Sequence, residues 1–440
     1  MRFIKSKVFY AALILLALLT VFLFLNLTGD PKAPKSEAGE PEVSSPANRP
    51  DKIKIMVDTT FQPYIEEIAA QYEKQYGIKV EIASSDHSSL HDNIEKSIVR
   101  AYSDVDIILV DVVWTPEFAR AGYLEPLRNY VQSDLRDKIL PIAYDQRVIN
   151  NDLYALPELY AFPITIEEKF LYYNAKMLKS VGIYAPPNTW EELISMVQYV
   201  KEKGLAKYGL VWGWGQGEAL VSDYTWLLNA LHGQFKDANG NWIFNQGGGV
   251  RALDFMVNSL KGNELSDPSS LTINDVDAIN KFAAGDIPFL VSWSYANKLL
   301  NHNPDFKMAL VPGFKDYQRS STVTGGGALG ITRSSKHKDW AWKFIDLTNT
   351  QRHEISVNDY LGSIPVWNDL FDNLELKTKY PNLNLMTEQF GYATNRPSMS
   401  SYVEWSKVMQ TSLVSALTGN QTPKKALDEA KILLENKEIK

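Results

Sequence analysis

Val105–Val113 reads VDIILVDVV, and seven of its nine residues are apolar, placed on both faces of any extended strand. A strand with water on one side alternates in polarity. One that is buried on both sides runs almost continuously apolar, as strands of helix-covered parallel sheets do. The chain on either side supplies what such a sheet needs. KIKIMVDT (Lys52–Thr59) reads as a first strand and PYIEEIAAQYEKQYG (Pro63–Gly77) as an amphipathic helix with a glycine stop. IKVEIAS (Ile78–Ser84) follows as a second strand, and SLHDNIEKSIVRAY (Ser89–Tyr102) as a second helix. Strands alternating with helices of this length indicate βαβ units, hence an α/β fold.

The middle of the chain repeats the theme with more helix. PNTWEELISMVQYVKEKG opens on a capping box, Thr189 with Glu192, and stops at Gly204. Short strand-like runs recur at Tyr208–Trp214, Ile287–Trp293 and Phe306–Pro312, separated by helical spans that predict a second α/β lobe. From about Met399 onward the pattern is helical, and no short-period repeat is present.

A chain of 440 residues, 45% hydrophobic and 22% charged, has enough apolar material for more than one core. Its formal net charge of −7 argues against nucleic acid or an anionic lipid surface as partner of the folded part. With no cysteine, disulfides, thiolate metal sites and a cysteine nucleophile are excluded. Arg2, Lys5 and Lys7 precede an apolar run from Val8 to Leu27. Residues 1–28 therefore read as a membrane anchor or signal peptide; an uncleaved anchor is preferred, because no good small-residue cleavage site follows. The basic flank puts the remaining chain outside the cell. Residues 29–51, rich in Pro, Ser, Glu and Ala, read as a flexible linker.

In doubly wound sheets, ligands bind beyond the carboxyl ends of the strands. That rule selects Thr59–Phe61, Ser84–His87 and Asp111–Trp114, with Thr60 and Ser85 as candidate hydroxyl contacts. Turn formation and helix capping account equally well for the hydroxyls. Asp111 closes an apolar strand and has two readings, a ligand-bridging carboxylate beside the Trp114 indole or a cap for the helix entered at TPEF. His87 and His91, four apart and flanked by Asp86 and Asp92, raise a metal question. No second ligand cluster accompanies them, so a solvated helix start is the preferred reading and no cofactor is expected. TGGGALGI (Thr324–Ile331) has neither GxGxxG order nor a P-loop lysine and reads as a hinge or a close backbone approach. Glu167, Glu168 and Glu218 are carboxylates that a glycosidase would use, but nothing marks one as acid and another as nucleophile.

VWGWGQGE (Val211–Glu218) places two of the eleven tryptophans among three glycines. A strand ending near Trp212 would leave Trp214 in a loop facing the cleft, where Trp214→Ala should weaken binding far more than folding.

Taken together, DIILVDVVWTPEFARAGYLEPL (Asp106–Leu127), FPITIEEKFLYYNAKML (Phe162–Leu178), VWGWGQGEALV (Val211–Val221), FLVSWSYAN (Phe289–Asn297), GGGALGI and NRPSMSSYVEWSKVMQ (Asn395–Gln410) resemble the carbohydrate-type extracellular solute-binding proteins of ABC importers, the maltose/trehalose kind. The resemblance covers essentially residues 52–440. It implies a two-lobed periplasmic-binding-protein-like fold of type II, each lobe a mainly parallel sheet flanked by helices, joined by crossover strands. Lobe 1 would span 52–165 plus 328–372, and lobe 2 would span 166–327 plus 373–440, with the ligand between them. It implies sugar contacts at Asp111, Trp293 and Arg396, a hydroxyl-bonding carboxylate at Glu167, and paired crossover glycines at Gly325 and Gly326. Relatives tend to carry a tryptophan where this chain has Gly327, so one aromatic wall is missing or comes from elsewhere, with Trp214 the candidate.

The expected ligand-binding set is thus Thr60, Ser85, Asp111, Trp114, Tyr160, Glu167, Trp212, Trp214, Glu218, Trp293, Gly325, Gly326 and Arg396. The implied protein is a monomeric, non-enzymatic, membrane-tethered receptor that hands a di- or oligosaccharide to ABC permease subunits. A secreted glycoside hydrolase or lyase, and the same fold binding a polyamine or other polar solute, are the alternatives.

Overall fold

A computed structural model of the chain describes residues 49–98, 104–150, 157–261 and 265–439. The anchor or signal segment and nearly all of the linker lie outside the described residues, as do residues 99–102 of the expected second helix. No helix among the described residues is long and apolar enough to cross a membrane.

The first βαβ run folds as its pattern requires. β1 (Lys52–Asp58) leads to α1 (Gln62–Tyr76), which ends on Gly77 at φ 64°, the left-handed conformation that glycine adopts without strain. β2 (Lys79–Ser85), α2 (His87–Ile98), β3 (Ile107–Asp111) and the short α3 (Thr115–Arg120) follow. β1 pairs in parallel with both β2 and β3. All the apolar residues of β3 are buried, as a strand covered on both faces must be.

The chain then leaves this sheet. β4 (Phe162–Pro163) is its far edge, and within four residues the backbone has become β5 (Glu167–Asn174), the centre of a second sheet. Next come α4 (Trp190–Glu202), β6 (Leu210–Val211), α5 (Glu218–Ala230), β7 (Phe289–Trp293) and β8 (Phe306–Ala309). Thr189 caps α4 by accepting from the Glu192 amide, while the Glu192 carboxylate accepts from the Asn188 amide, so the box closes one residue earlier than in the standard motif. β9 (Thr322–Gly325) belongs to the second sheet and β10 (Gly327–Ile331) to the first, so the chain returns through Gly326 alone. β11 (Ala393–Thr394), α6 (Tyr402–Leu417) and α7 (Pro423–Asn436) complete the fold.

The first sheet runs β2-β1-β3-β10-β4 and the second β11-β9-β5-β7-β6, with β8 also on β5. The first keeps its parallel core. In the second, β5 is antiparallel to β7, β8 and β9, and only β6–β7 and β9–β11 pair in parallel. β6 also covers only two residues of the expected Tyr208–Trp214 strand. Gly213 explains the early stop, because a Cβ there would lie 2.6 Å from the Asp275 backbone nitrogen. The backbone turns aside at a close approach instead of extending the ladder.

Candidate functional site

Two of the three passages between the sheets, Ile164–Ile166 and Gly326, run side by side. Gly326 sits at φ 130°, and a Cβ on it would press on the Thr165 carbonyl oxygen and lie 3.0 Å from Ile166 Cα, so both conformation and space require glycine. Arg147, which the sequence reading passed over, locks this junction. Its buried guanidinium donates to the Gly326 carbonyl at 2.7 Å and to Thr115 Oγ1 at 3.1 Å. Burial lowers its pKa to about 10. The only sequence signal for it was a charge flanked by a strand-like VI pair, too common to select.

On the first-sheet side, the strand ends converge as the carboxyl-end rule demands. Asp58 is buried, and its Oδ1 accepts from the Thr60 amide at 2.8 Å and the Thr60 hydroxyl at 2.7 Å. Burial works against its charge, but His87 and these bonds hold its carboxyl below the usual range. Thr60 is thus committed to Asp58 while remaining exposed. Ser85 ends β2 half-buried, with its carbonyl accepting from the Thr59 amide. His87 stands between two carboxylates, with Nδ1 3.6 Å from Asp58 Oδ2 and Nε2 3.7 Å from Asp111 Oδ2. Desolvation opposes charging of this ring, yet Asp58, Asp111 and Glu218 outweigh it and raise the imidazole above its ordinary range.

Asp111 does not cap α3. Its Oδ1 accepts from the Val113 amide at 3.1 Å in a local turn, and the N-cap position belongs to Trp114. Trp114 is not an open platform either. It is 5% exposed, with the His87 ring stacked on it at 4.9 Å, so imidazole covers the indole.

Across the cleft, Arg396 is buried and reaches both sides. Nη1 lies 2.7 Å from Glu218 Oε1 and Nη2 lies 3.5 Å from Asp111 Oδ1. Glu218, at the start of α5, also accepts from the hydroxyls of Tyr402 and Ser406. Glu167 begins β5 and accepts from the Ser294 hydroxyl. Burial pushes its carboxyl up to about 7, against hydrogen bonds from Ser294, Ser363 and the Tyr295 backbone. Trp293 is half-buried at the end of β7, and its indole N–H donates to Asp275 Oδ2 at 3.0 Å. A Cβ on Gly325 would lie 3.0 Å from the Trp293 ring, so this glycine lets the indole lie against the crossover strand.

The remaining expected contacts lie elsewhere. Trp212 and Trp214 are fully buried and stacked on each other at 4.6 Å, in a cluster with Trp190 and Trp226. The Trp212 indole donates to Ser266 and the Trp214 indole to Asp223, so both are core side chains and neither is a floor for a ligand. Burial of two neighbouring indoles recovers far more apolar area than a loop placement could, and each N–H finds a partner inside. Tyr160 is likewise buried, at 1% exposure. The gap at Gly327 is filled from within the same sheet's strand ends: a Cβ there would lie 2.9 Å from Phe61 Cζ. Phe61, from the turn after β1, therefore stands where a side chain at 327 would project.

Under this cleft Lys169, fully buried, pairs with Asp223 at 2.6 Å and lies 5.0 Å from the centre of the Trp293 ring. Burial opposes its charge, and Asp223 with Asp275 restores it. Trp293 is thus held by a cation over its ring and by a carboxylate at its indole nitrogen, a rigid mount for a half-buried indole.

Residues 58–350 match the bacterial extracellular solute-binding protein family. A binding protein of Brucella abortus is 22% identical over 380 residues, covering 84% of this chain and 88% of its own length. A Deinococcus radiodurans relative named as an ABC transporter-binding protein is 25% identical over 342 residues, covering 74% and 78%. The maltose-bound MalE3 of T. maritima superposes with a TM-score of 0.80 at 25% identity, covering 87% of this chain and 99% of that one. A solute-binding protein of Thermotoga lettingae bound to α-D-tagatose gives a TM-score of 0.77 at 23% identity, covering 88% and 99%.

Proposed function

The chain belongs to the bacterial extracellular solute-binding protein family, and from that premise we propose that it is the sugar-capturing component of an ABC importer. The observation that carries this reading is the seam of the cleft. There an indole with one mounted face (Trp293) stands among groups that bond hydroxyls: Glu167 on β5, Asp111 on β3, and the Arg396–Glu218 pair. Apolar sugar faces stack on indole, and buried carboxylates and guanidinium satisfy hydroxyls pairwise, so a ligand lacking a hydroxyl leaves one of them unpaired and is rejected. The MalE3 structure with maltose, at 25% identity, supports carbohydrate as the ligand class.

In this reading Thr60, Ser85 and His87 line the first wall, Phe61 replaces the aromatic side chain absent at Gly327, and Gly325 and Gly326 act with residues 164–166 as hinge. The lobes would divide as 52–165 plus 328–372 and 166–327 plus 373–440, each built around one of the two sheets, with the chain passing between them three times. The N-terminal segment would tether the receptor at the extracellular face, where the closed, loaded form is recognised by the permease. A thermal-shift screen of the full-length chain against mono-, di- and oligosaccharides tests the reading, because a bound ligand raises the midpoint by mass action. A shift with maltose-type disaccharides supports it. A shift with polyamines or osmolytes alone, or release of reducing ends from an oligosaccharide, would overturn it.

A further inference from the structure

Behind the first wall of the cleft, α2 carries a second group of polar side chains that ligand capture does not use. His91 is 7% exposed, its ring stacked on Phe118 at 5.1 Å and set edge-on to Trp114 at 5.3 Å. Its Nε2 lies 3.2 Å from Glu117 Oε2. That carboxylate selects the tautomer with the proton on Nε2, which leaves a lone pair on Nδ1. Nδ1 is buried and has no hydrogen-bond partner. It faces outward to Asp92, whose Oδ1 is 3.7 Å away, and donor atoms of His91, Asp92 and Glu95 all lie within 4.8 Å of one another.

An imidazole lone pair directed at two carboxylates is repulsive unless a positive charge sits among them. Two donors held about 2.1 Å from one ion are at most about 4.2 Å apart, so a side-chain rotation closes the set. His91 and Glu95 are one helical turn apart and share a face, and Asp92 joins them at the edge. A carboxylate behind the imidazole is the arrangement that orients and strengthens metal-bound histidine. We propose that His91, Asp92 and Glu95 form a site for a zinc-class divalent ion, with Glu117 as the positioning residue for His91. Nitrogen plus two carboxylates, with no thiolate, suits zinc or cobalt over magnesium, which prefers oxygen alone. The ion would fasten α2 at the level of Trp114, one turn beyond His87, and its binding is independent of what occupies the cleft.

The test begins with full-length chain stripped by chelator and titrated with zinc by calorimetry and thermal shift, with magnesium in parallel. One equivalent of zinc should bind and raise the unfolding midpoint, magnesium should not, and cobalt should give visible d–d absorption. Asp92→Asn and Glu95→Gln change side chains on the open side of the helix and keep the fold. Each should weaken zinc binding by at least about tenfold. Binding should also fade as pH falls below the imidazole range, since a proton competes for Nδ1. If the Asp92→Asn/Glu95→Gln double variant binds zinc as tightly as the native chain, the ion resides at other histidines and the proposal fails. Absence of any saturable one-to-one uptake at millimolar zinc overturns it equally, and means that a proton alone balances these carboxylates.

Discussion

Arg396 Nη2 lies 3.5 Å from Asp111 Oδ1, which joins a cation that follows the second sheet's edge strand to a carboxylate at the carboxyl end of β3 in the first sheet. The same guanidinium holds Glu218 at 2.7 Å on its own side. A charge pair that spans the cleft favours the closed arrangement of the two sides. Asp111→Asn removes that attraction while preserving shape. The variant should be more open in solution, seen as a larger radius of gyration by small-angle scattering, and should bind sugar more weakly. Arg396→Met does more, because it leaves Glu218 without its cation; a loss of about 3–5 kcal/mol in denaturant unfolding follows from breaking a buried pair on one side.

The two tryptophans that differ most in role are Trp214 and Trp293. Trp214 is fully buried, stacked on Trp212 and bonded to Asp223, so Trp214→Ala opens a cavity and should cost roughly 3–5 kcal/mol of stability. Trp293→Ala should cost less in unfolding and more in binding. Loss of one stacked face is worth on the order of 1–2 kcal/mol, which is about five- to thirtyfold in sugar affinity by calorimetry. A Trp214→Ala protein that folds normally and binds poorly would reverse this assignment.

Phe61 and Gly327 form a complementary pair, since a Cβ at 327 would lie 2.9 Å from Phe61 Cζ and 3.1 Å from Leu109 Cδ1. Gly327→Trp alone should be overpacked and lower the thermal midpoint. Phe61→Ala alone should weaken sugar binding by removing the wall. The double variant should recover stability relative to Gly327→Trp, giving a coupling energy well beyond the few tenths of a kcal/mol expected of independent sites. Additive effects would show that the two positions do not share one space.

The uneven legibility of this chain follows from how local each signal is. VDIILVDVV, the Gly77 stop and the Thr189 cap are decided within a few residues by periodicity and hydrogen-bond chemistry, and they fold as read. Asp111 was recognisable because a charge closing an apolar strand needs a partner, but the partner is 285 residues away. Trp214 was misplaced because the glycines beside it looked like freedom for a ligand. They are instead close approaches of backbone, with Gly213 against Asp275 and Gly215 against Ile273. Phe61 and His87 lie in strand-end segments that the carboxyl-end rule selects, but their roles, like that of Arg147, appear only when distant strands meet.

Glu168 makes the strand that joins the lobes sensitive to pH. It is fully buried on β5, opposite Thr324 of the second crossover strand, and neither carboxylate oxygen has a hydrogen-bond partner. Burial first, and the neighbouring Glu167 second, raise its pKa well above the ordinary value of 4.5. Glu167 is raised to about 7 by its own burial. A carboxyl whose folded pKa exceeds its unfolded one keeps its proton on folding. Its contribution to stability is therefore full below about pH 4.5 and is lost as pH rises through the folded value. The unfolding midpoint should fall between pH 5 and pH 8 on account of both groups. Glu168→Gln substitutes a neutral isostere for the protonated acid, so it should leave the midpoint near pH 5 almost unchanged, raise it at pH 8 and flatten the slope. A variant whose midpoint follows the native profile across that range would mean that Glu168 is ionised and paired in the folded chain.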